Sequence, residues 1–290
     1  MGEEWRDAYG DDEPVVFVGD KLVAWDDGTK KLETLYDLFD VLNPVDDAYK
    51  SEAYAFIEAQ CRAADGKEKG VEWFHASSAT KGADDNYLVS SRNLDTVVSL
   101  RADGSGAMWV LTAEPDAIGS RYPTFTFPEG QEDRSKFYQP HAVSQPDREH
   151  LLLVDDGRFR ANCSSTDETQ TCFSRAVEYR LDYDTMTATL IWEFEFPATV
   201  SAVGIHEAET EDVYNVAGGS VVKQANGHYF VAFNSVDDDS GQGQPTLAFD
   251  VNPDGEYQTK FKLPRVDRGC GSYRSMPSDS VNSESYDRPW

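Results

Sequence analysis

At 290 residues the chain can bury a core as one large domain or two smaller ones, and its 39% apolar and 12% aromatic content separates it from disordered chains. Its 53 acidic against 26 basic residues, a formal charge of −27, argue against nucleic acid and anionic membranes as partners, since both reward clustered Lys and Arg. No run of about 18 apolar residues exists, so no membrane span is expected, and an anionic substrate would need local cations to hold it against the long-range repulsion of the chain.

The first residues, Met1 to Asp7, offer neither a basic n-region nor an apolar h-region, so they do not read as a signal peptide. Beyond them one shape repeats: an alternating apolar strand, an acidic or glycine turn, and a second alternating strand. It occurs at residues 21–35, 95–110, 175–192 and 245–261. Period-2 apolar runs joined by Asp-Gly-type turns predict β-hairpins. Three of the hairpins follow a further strand pair: 74–78 with 86–91, 141–144 with 150–154, and 219–223 with 227–233. Two strands and a hairpin make a four-stranded antiparallel sheet, which is one blade of a β-propeller. The sequence thus predicts an all-β protein with three whole blades and, at 15–38, part of an earlier one. The apolar positions Leu88, Leu152 and Phe230 lie 64 and 78 residues apart, and long loops such as 114–138 absorb the difference.

Residues 47–63 lack Gly and Pro and have helical spacing, so a short helical insertion is expected there. Residues 1–274 then form a single propeller domain, and the Ser-, Asp- and Pro-rich residues 275–290 form a poorly ordered tail. Cys163 and Cys172 bracket a polar loop that a disulfide would staple, and Asn162 opens an N-glycosylation sequon; both point to a secreted or lumenal protein. Four free thiols and an unused sequon remain the alternative. Cys61 and Cys270 stand alone, and without a CxxC pair no zinc or redox site is expected.

The first strands also carry candidate chemistry. Allowing a two-residue difference at the turn, His75, His141 and Gly219 fall at one structural position near the propeller axis, where a glycine leaves room for two imidazoles. Arg92, after the second strand of the His75 blade, returns to the same end and suits bidentate capture of an oxyanion.

Trp73-Phe-His-Ala-Ser-Ser78, Asn86-Tyr-Leu-Val-Ser-Ser-Arg-Asn93, Gln139-Pro-His-Ala142, Leu151-Leu-Leu-Val-Asp-Asp-Gly157, Ser174-Arg-Ala-Val-Glu-Tyr179 and Gly219-Ser-Val-Val-Lys-Gln-Ala-Asn-Gly227 resemble the arylsulfotransferase family, the sulfotransferases that use no nucleotide sulfate donor. The likeness covers residues 22–274, and the order of its pieces is more specific than any one of them. The resemblance implies a six-bladed propeller that moves a sulfuryl group from a phenolic sulfate ester to a phenol acceptor through a sulfated histidine, with no cofactor. It implies His141 as nucleophile, His75 and Arg92 as holders of the sulfuryl oxygens, and Ser77, Asn93 and Ser220 as substrate-binding side chains. Ser77 stands where the family has Asn, and the histidine the family has in an earlier blade is missing, since none precedes position 75; His206 is a candidate to stand in for it. Three and a half blades do not close a ring of six, so further N-terminal blades, a smaller ring or a partner chain is implied. A propeller that kept the scaffold as a binding module is the alternative, and hydrolysis of sulfate or phosphate esters a third reading.

Overall fold

A computed structural model describes residues 2–6, 15–44, 70–113, 121–157, 160, 173–196, 214–215, 217–234, 236–237, 246–263 and 275. The expected helix at 47–63, all four cysteines, Asn162, His206 and the tail beyond Ser275 lie outside these residues. None of the described helices is long and apolar enough to cross a membrane.

Strands β1 (Gly2–Arg6), β2 (Val15–Gly19), β3 (Lys21–Asp26), β4 (Lys31–Asp37) and β5 (Gly70–Glu72) open the chain. β2 pairs antiparallel with β1 and parallel with β5, whereas β3 and β4 form their own hairpin. The segment at 15–38 is therefore split between two sheets, not the partial blade expected from sequence.

The first large sheet contains β6 (Ala76–Lys81), β7 (Tyr87–Ser91), β8 (Thr96–Leu100) and β9 (Ala107–Thr112), with β10 (Thr124–Phe125) added parallel to β9 as a fifth strand. The second is an antiparallel meander of β11 (Pro140–Asp147), β12 (His150–Asp155), β13 (Arg175–Asp182) and β14 (Thr187–Glu195). After the short β15 (Tyr214–Asn215), the third holds β16 (Ser220–Lys223), β17 (Tyr229–Phe233), β19 (Thr246–Val251) and β20 (Tyr257–Leu263), with β18 (Val236–Asp237) pairing β15 apart from it. The three predicted four-strand repeats are all present.

Their hairpins turn where the sequence placed acidic or amide residues, and the side chains explain why. Asp182 Oδ1 accepts from the N–H groups of Asp184 (2.9 Å) and Thr185 (3.1 Å), and Asn252 Oδ1 accepts from Asp254 (3.0 Å) and Glu256 (2.9 Å). Such side chains stand in for the missing ladder partners of a tight turn.

The sheets stack face to face, so strands that read as half-buried are buried on both sides. In the first sheet Val89 and Val98 enter a core with Phe17, Leu38 and Trp73, while Leu88 and Val97 enter another with Phe137, Leu151 and Val177. In the second sheet Leu152, Val154 and Ala176 turn instead to a core shared with Val221, Val231 and Phe249 of the third. Period-2 alternation here separates one core from the next, not core from solvent.

Polar contacts fix how the first strands sit together. Val143 N–H donates to Ser78 Oγ (3.1 Å), Thr80 Oγ1 donates to Val143 O (3.0 Å), and Ala83 N–H donates to Gln145 Oε1 (3.2 Å). These run in the same order along β6 and β11, so the two strands are side by side and point the same way. A cavity of about 260 Å³ lies between β6, β11 and β16, lined by Thr80, Val143, Leu152, Val221 and Lys223 among others.

Candidate active site

The starts of β6 and β11 and the ends of β7 and β12 meet at one end of the stacked sheets, and the candidate residues gather there. His75 immediately precedes β6 with φ +51°, a strained backbone for a residue with a Cβ. Its carbonyl accepts from Arg92 N–H at 3.0 Å, which brings the two candidates together. His75 Nδ1 lies 2.9 Å from Glu72 Oε2, and both side chains are about one-third exposed. The hydrogen bond from His75 holds the Glu72 carboxyl below the usual carboxylate range; partial burial opposes it, and the charges of His75 and Arg92 add to it. Asn93 is less available: its amide donates to Glu72 O at 2.7 Å, so it braces the loop that carries His75.

His141 is almost fully buried. Its Nδ1 lies 2.9 Å from Gln139 O and 2.8 Å from Asp156 Oδ2. The Gln139 carbonyl can only accept, so in the neutral ring Nδ1 carries the proton and Nε2 the lone pair; Asp156 Oδ2 lies beside Nδ1 without a hydrogen bond to it. Sequence reasoning missed Asp156, although it sits in the Leu-Leu-Leu-Val-Asp-Asp-Gly run. His141 pairs with Val154, which puts Asp156 at the diagonal cross-strand position two residues on.

Asp155, the preceding residue, is the hub that holds this end rigid. It accepts from the N–H groups of Tyr138 (2.9 Å) and Gly157 (3.0 Å), from Arg160 Nη2 (2.5 Å) and from Arg175 Nε (2.9 Å). Arg175 in turn reaches Glu193 Oε2 (2.6 Å) and the carbonyls of Arg134 and Lys136. Burial works against the Arg175 charge, yet Asp155 and Glu193 raise its pKa above the ordinary value. Burial likewise pushes Glu193 up, and the Arg134 and Arg175 guanidiniums outweigh it and hold the carboxyl low.

The pairing corrects the register expected from sequence. Thr80 pairs with Leu88 and Ser144 with Leu152; Ala76 pairs with Ser91 and Pro140 with Asp155. Each member of the second pair follows its counterpart by 64 residues (144 − 80, 152 − 88, 140 − 76, 155 − 91). His75 therefore corresponds to Gln139, which shares its positive φ (+54°), and the residue level with His141 is Ser77. Gly219 does correspond to His141, since Val222 pairs with Phe230 as Ser144 does with Leu152. The space beside it is taken, however: a Cβ on Gly219 would lie 2.9 Å from Ala232 O and 3.1 Å from a Val154 methyl. Ser77 and Ser220 are buried, and Ser220 Oγ accepts from Ser275 N–H at 3.1 Å.

The first and second sheet ends are bolted together by Asp95, whose carboxylate accepts from Gln139 N–H at 2.6 Å. His75 and Arg92 thus form one group around Glu72, and His141 a second around Asp156, on adjacent sheets. Among the described residues no cluster of three or more His, Cys, Asp or Glu is arranged to hold a metal ion.

Stacked antiparallel repeats that collect imidazole and guanidinium groups at one end define an all-β protein with a candidate group-transfer site. Residues 4–265 match the model of the family Arylsulfotransferase (ASST), and the chain belongs to that family. Its function is therefore of the aryl sulfotransferase kind, with small aryl molecules as substrates. A search of curated proteins finds no match.

Proposed function

We propose that this chain transfers a sulfuryl group from an aryl sulfate to a phenol through a covalent intermediate on His141, on sheets arranged as successive blades of a β-propeller. In the first half-reaction the Nε2 lone pair attacks sulfur and the S–O(aryl) bond breaks, its electron pair leaving on the phenolate oxygen, which takes a proton from solvent. In the second, a deprotonated phenol oxygen attacks the same sulfur and the S–Nε2 bond pair returns to the ring. One difficult displacement becomes two easier ones, and the ester itself is the donor. Negative charge spreads over three sulfuryl oxygens, where the Arg92 guanidinium and a protonated His75 stabilise it, as cations do in phosphoryl transfer.

The observation that carries this reading is the Nδ1 of His141 facing the Gln139 carbonyl at 2.9 Å, which puts the lone pair of the neutral ring on Nε2. The stacking of β6, β11 and β16 around a shared cavity supports the propeller arrangement. The deep burial of His141 favours a second reading, a module that binds aryl sulfates without turning them over.

The test is release of a chromogenic phenol from its sulfate ester, with and without an acceptor phenol, in the parent and in His141→Ala. Acceptor-dependent release that falls to background in the variant is expected. Release without acceptor indicates hydrolysis, and binding without release indicates the second reading.

A further inference from the structure

β14 ends the second sheet on the side opposite β11, the strand that carries His141. Part of its outer edge is taken by the chain itself: Thr126 lies parallel to Thr187, its N–H donating to Met186 O and its carbonyl accepting from Ala188 N–H, both at 2.9 Å. The chain then turns, with Gln131 N–H donating to Pro128 O at 3.0 Å. Beyond Ala188 no strand among the described residues pairs with this edge.

From Leu190 to Glu193 the edge instead borders a cleft of about 630 Å³, with Gln131 and Arg134 on one side and the hairpin tip Pro253–Gly255 on the other. Trp192 turns toward the third sheet and stacks on Tyr229, whereas Glu193 bonds Arg134, so the cleft straddles the strand. Ile191 is the extra residue of a bulge, since Leu190 pairs with Tyr179 and Trp192 with Glu178; its side chain is exposed. Tyr257, also exposed, packs against Phe194 of β14 with ring centroids 5.3 Å apart. Ser135 Oγ and Trp192 Nε1, on lining residues, are buried and have no hydrogen-bond partner among the described residues.

The charge around the cleft is one-sided. Glu129, Glu132 and Asp133 flank its first side, Asp254 and Glu256 its second, and Glu195 follows on β14, all exposed. Against them stand Lys136 and Arg134, the latter paired with Glu193. An open strand edge takes an extended segment through main-chain hydrogen bonds, and alternate side chains supply the specificity.

We propose that this cleft docks an extended, lysine- or arginine-bearing segment of a partner protein as a short strand beside β14, its apolar side chains on Ile191 and Tyr257 and its cations among the acidic residues. The site stands apart from the sulfuryl-transfer reading, and none of its tests needs turnover.

The probe is a fluorescein-labelled (Lys-Val)4 peptide added to the full chain, followed by anisotropy and by amide hydrogen exchange. Binding is expected, with slower exchange in the Leu190–Glu193 segment. Ile191→Lys and Asp254→Lys should each weaken it about tenfold, as a charge set against a cationic strand does. Asp27→Lys, which removes an exposed carboxylate from the turn of the β3–β4 hairpin, should change it less than about twofold. A (Lys-Pro)4 peptide has the same charge but half the N–H groups and should bind at least about tenfold more weakly. No binding, or binding with unaltered exchange at Leu190–Glu193, overturns the proposal. Equal weakening by Asp27→Lys overturns it too, because attraction to the overall charge of −27 then suffices. Equal binding of (Lys-Pro)4 overturns the added strand. Should a variant not fold, exchange in the parent decides.

Discussion

At the end of the first sheet, Arg92 follows β7, its N–H bonds the His75 carbonyl, and the Asn93 N–H bonds the Phe74 carbonyl. At the end of the second, 64 residues later, Asp156 follows β12 and Gly157 N–H bonds the Tyr138 carbonyl. The backbone frame is shared, but the first sheet fills it with a partly exposed guanidinium and the second with a buried carboxylate. A repeat fixes where side chains project, and single substitutions then decide the sign of the charge at each place. On the proposed reaction the division is sensible: the cation faces the anionic substrate, and the anion faces the ring that becomes positive.

The comparison predicts that the second end answers mainly in stability and the first mainly in activity. Replacing Arg175 by Met leaves Asp155 buried with one guanidinium fewer and frees the carbonyls of Arg134 and Lys136. Removing one partner of a buried ion pair costs about 3–5 kcal/mol, so the denaturant midpoint should fall sharply at unchanged slope. A loss under about 1 kcal/mol would mean that Arg160 and the backbone donors hold Asp155 unaided. Arg92→Ala is next. It should lower kcat/KM on the order of 10²- to 10³-fold, as loss of an oxyanion donor does, while leaving the unfolding midpoint near that of the parent. Equal losses of stability and activity would erase the proposed division of labour.

How much of this was legible in the sequence varies by element. The three meanders were, because turn residues such as Asp182 and Asn252 act through their own backbone neighbours, a strictly local effect. Strand β10 was not, because two residues inside a long connection carry no periodicity; tertiary pairing with β9 alone makes them a strand. The register of His75 was misread for a physical reason. The β6–β7 connection is looser than the tight Arg148–Glu149 turn, but β11 absorbs the excess in an irregularity between Ser144 and Asp147, so the two strand pairs keep the same 64-residue offset. His141 and Arg92 could be picked out by residue type and order, whereas Asp156 needed the strand pairing that sets it diagonal to His141.

The smallest expected effect belongs to Glu72, and its pH dependence is the sharpest check on the exposed end. The depressed carboxyl of Glu72 means that the folded state favours its ionised form. For a lowered carboxylate, the stability gained is fully present above the unfolded value, 4.5, and is lost as pH falls through the still lower folded value. Glu72→Gln should therefore cost little at neutral pH, about 1 kcal/mol or less because the pair is partly solvated, and the gap between parent and variant should close in acid below pH 4.5. Comparing the two proteins at each pH cancels the titration of the many other carboxylates. A gap that persists or widens in acid would mean that Glu72 acts through packing and not through charge. His75 and Arg92 would then be held by the backbone alone, and the anion between them would have no part in tuning the cationic side of the site.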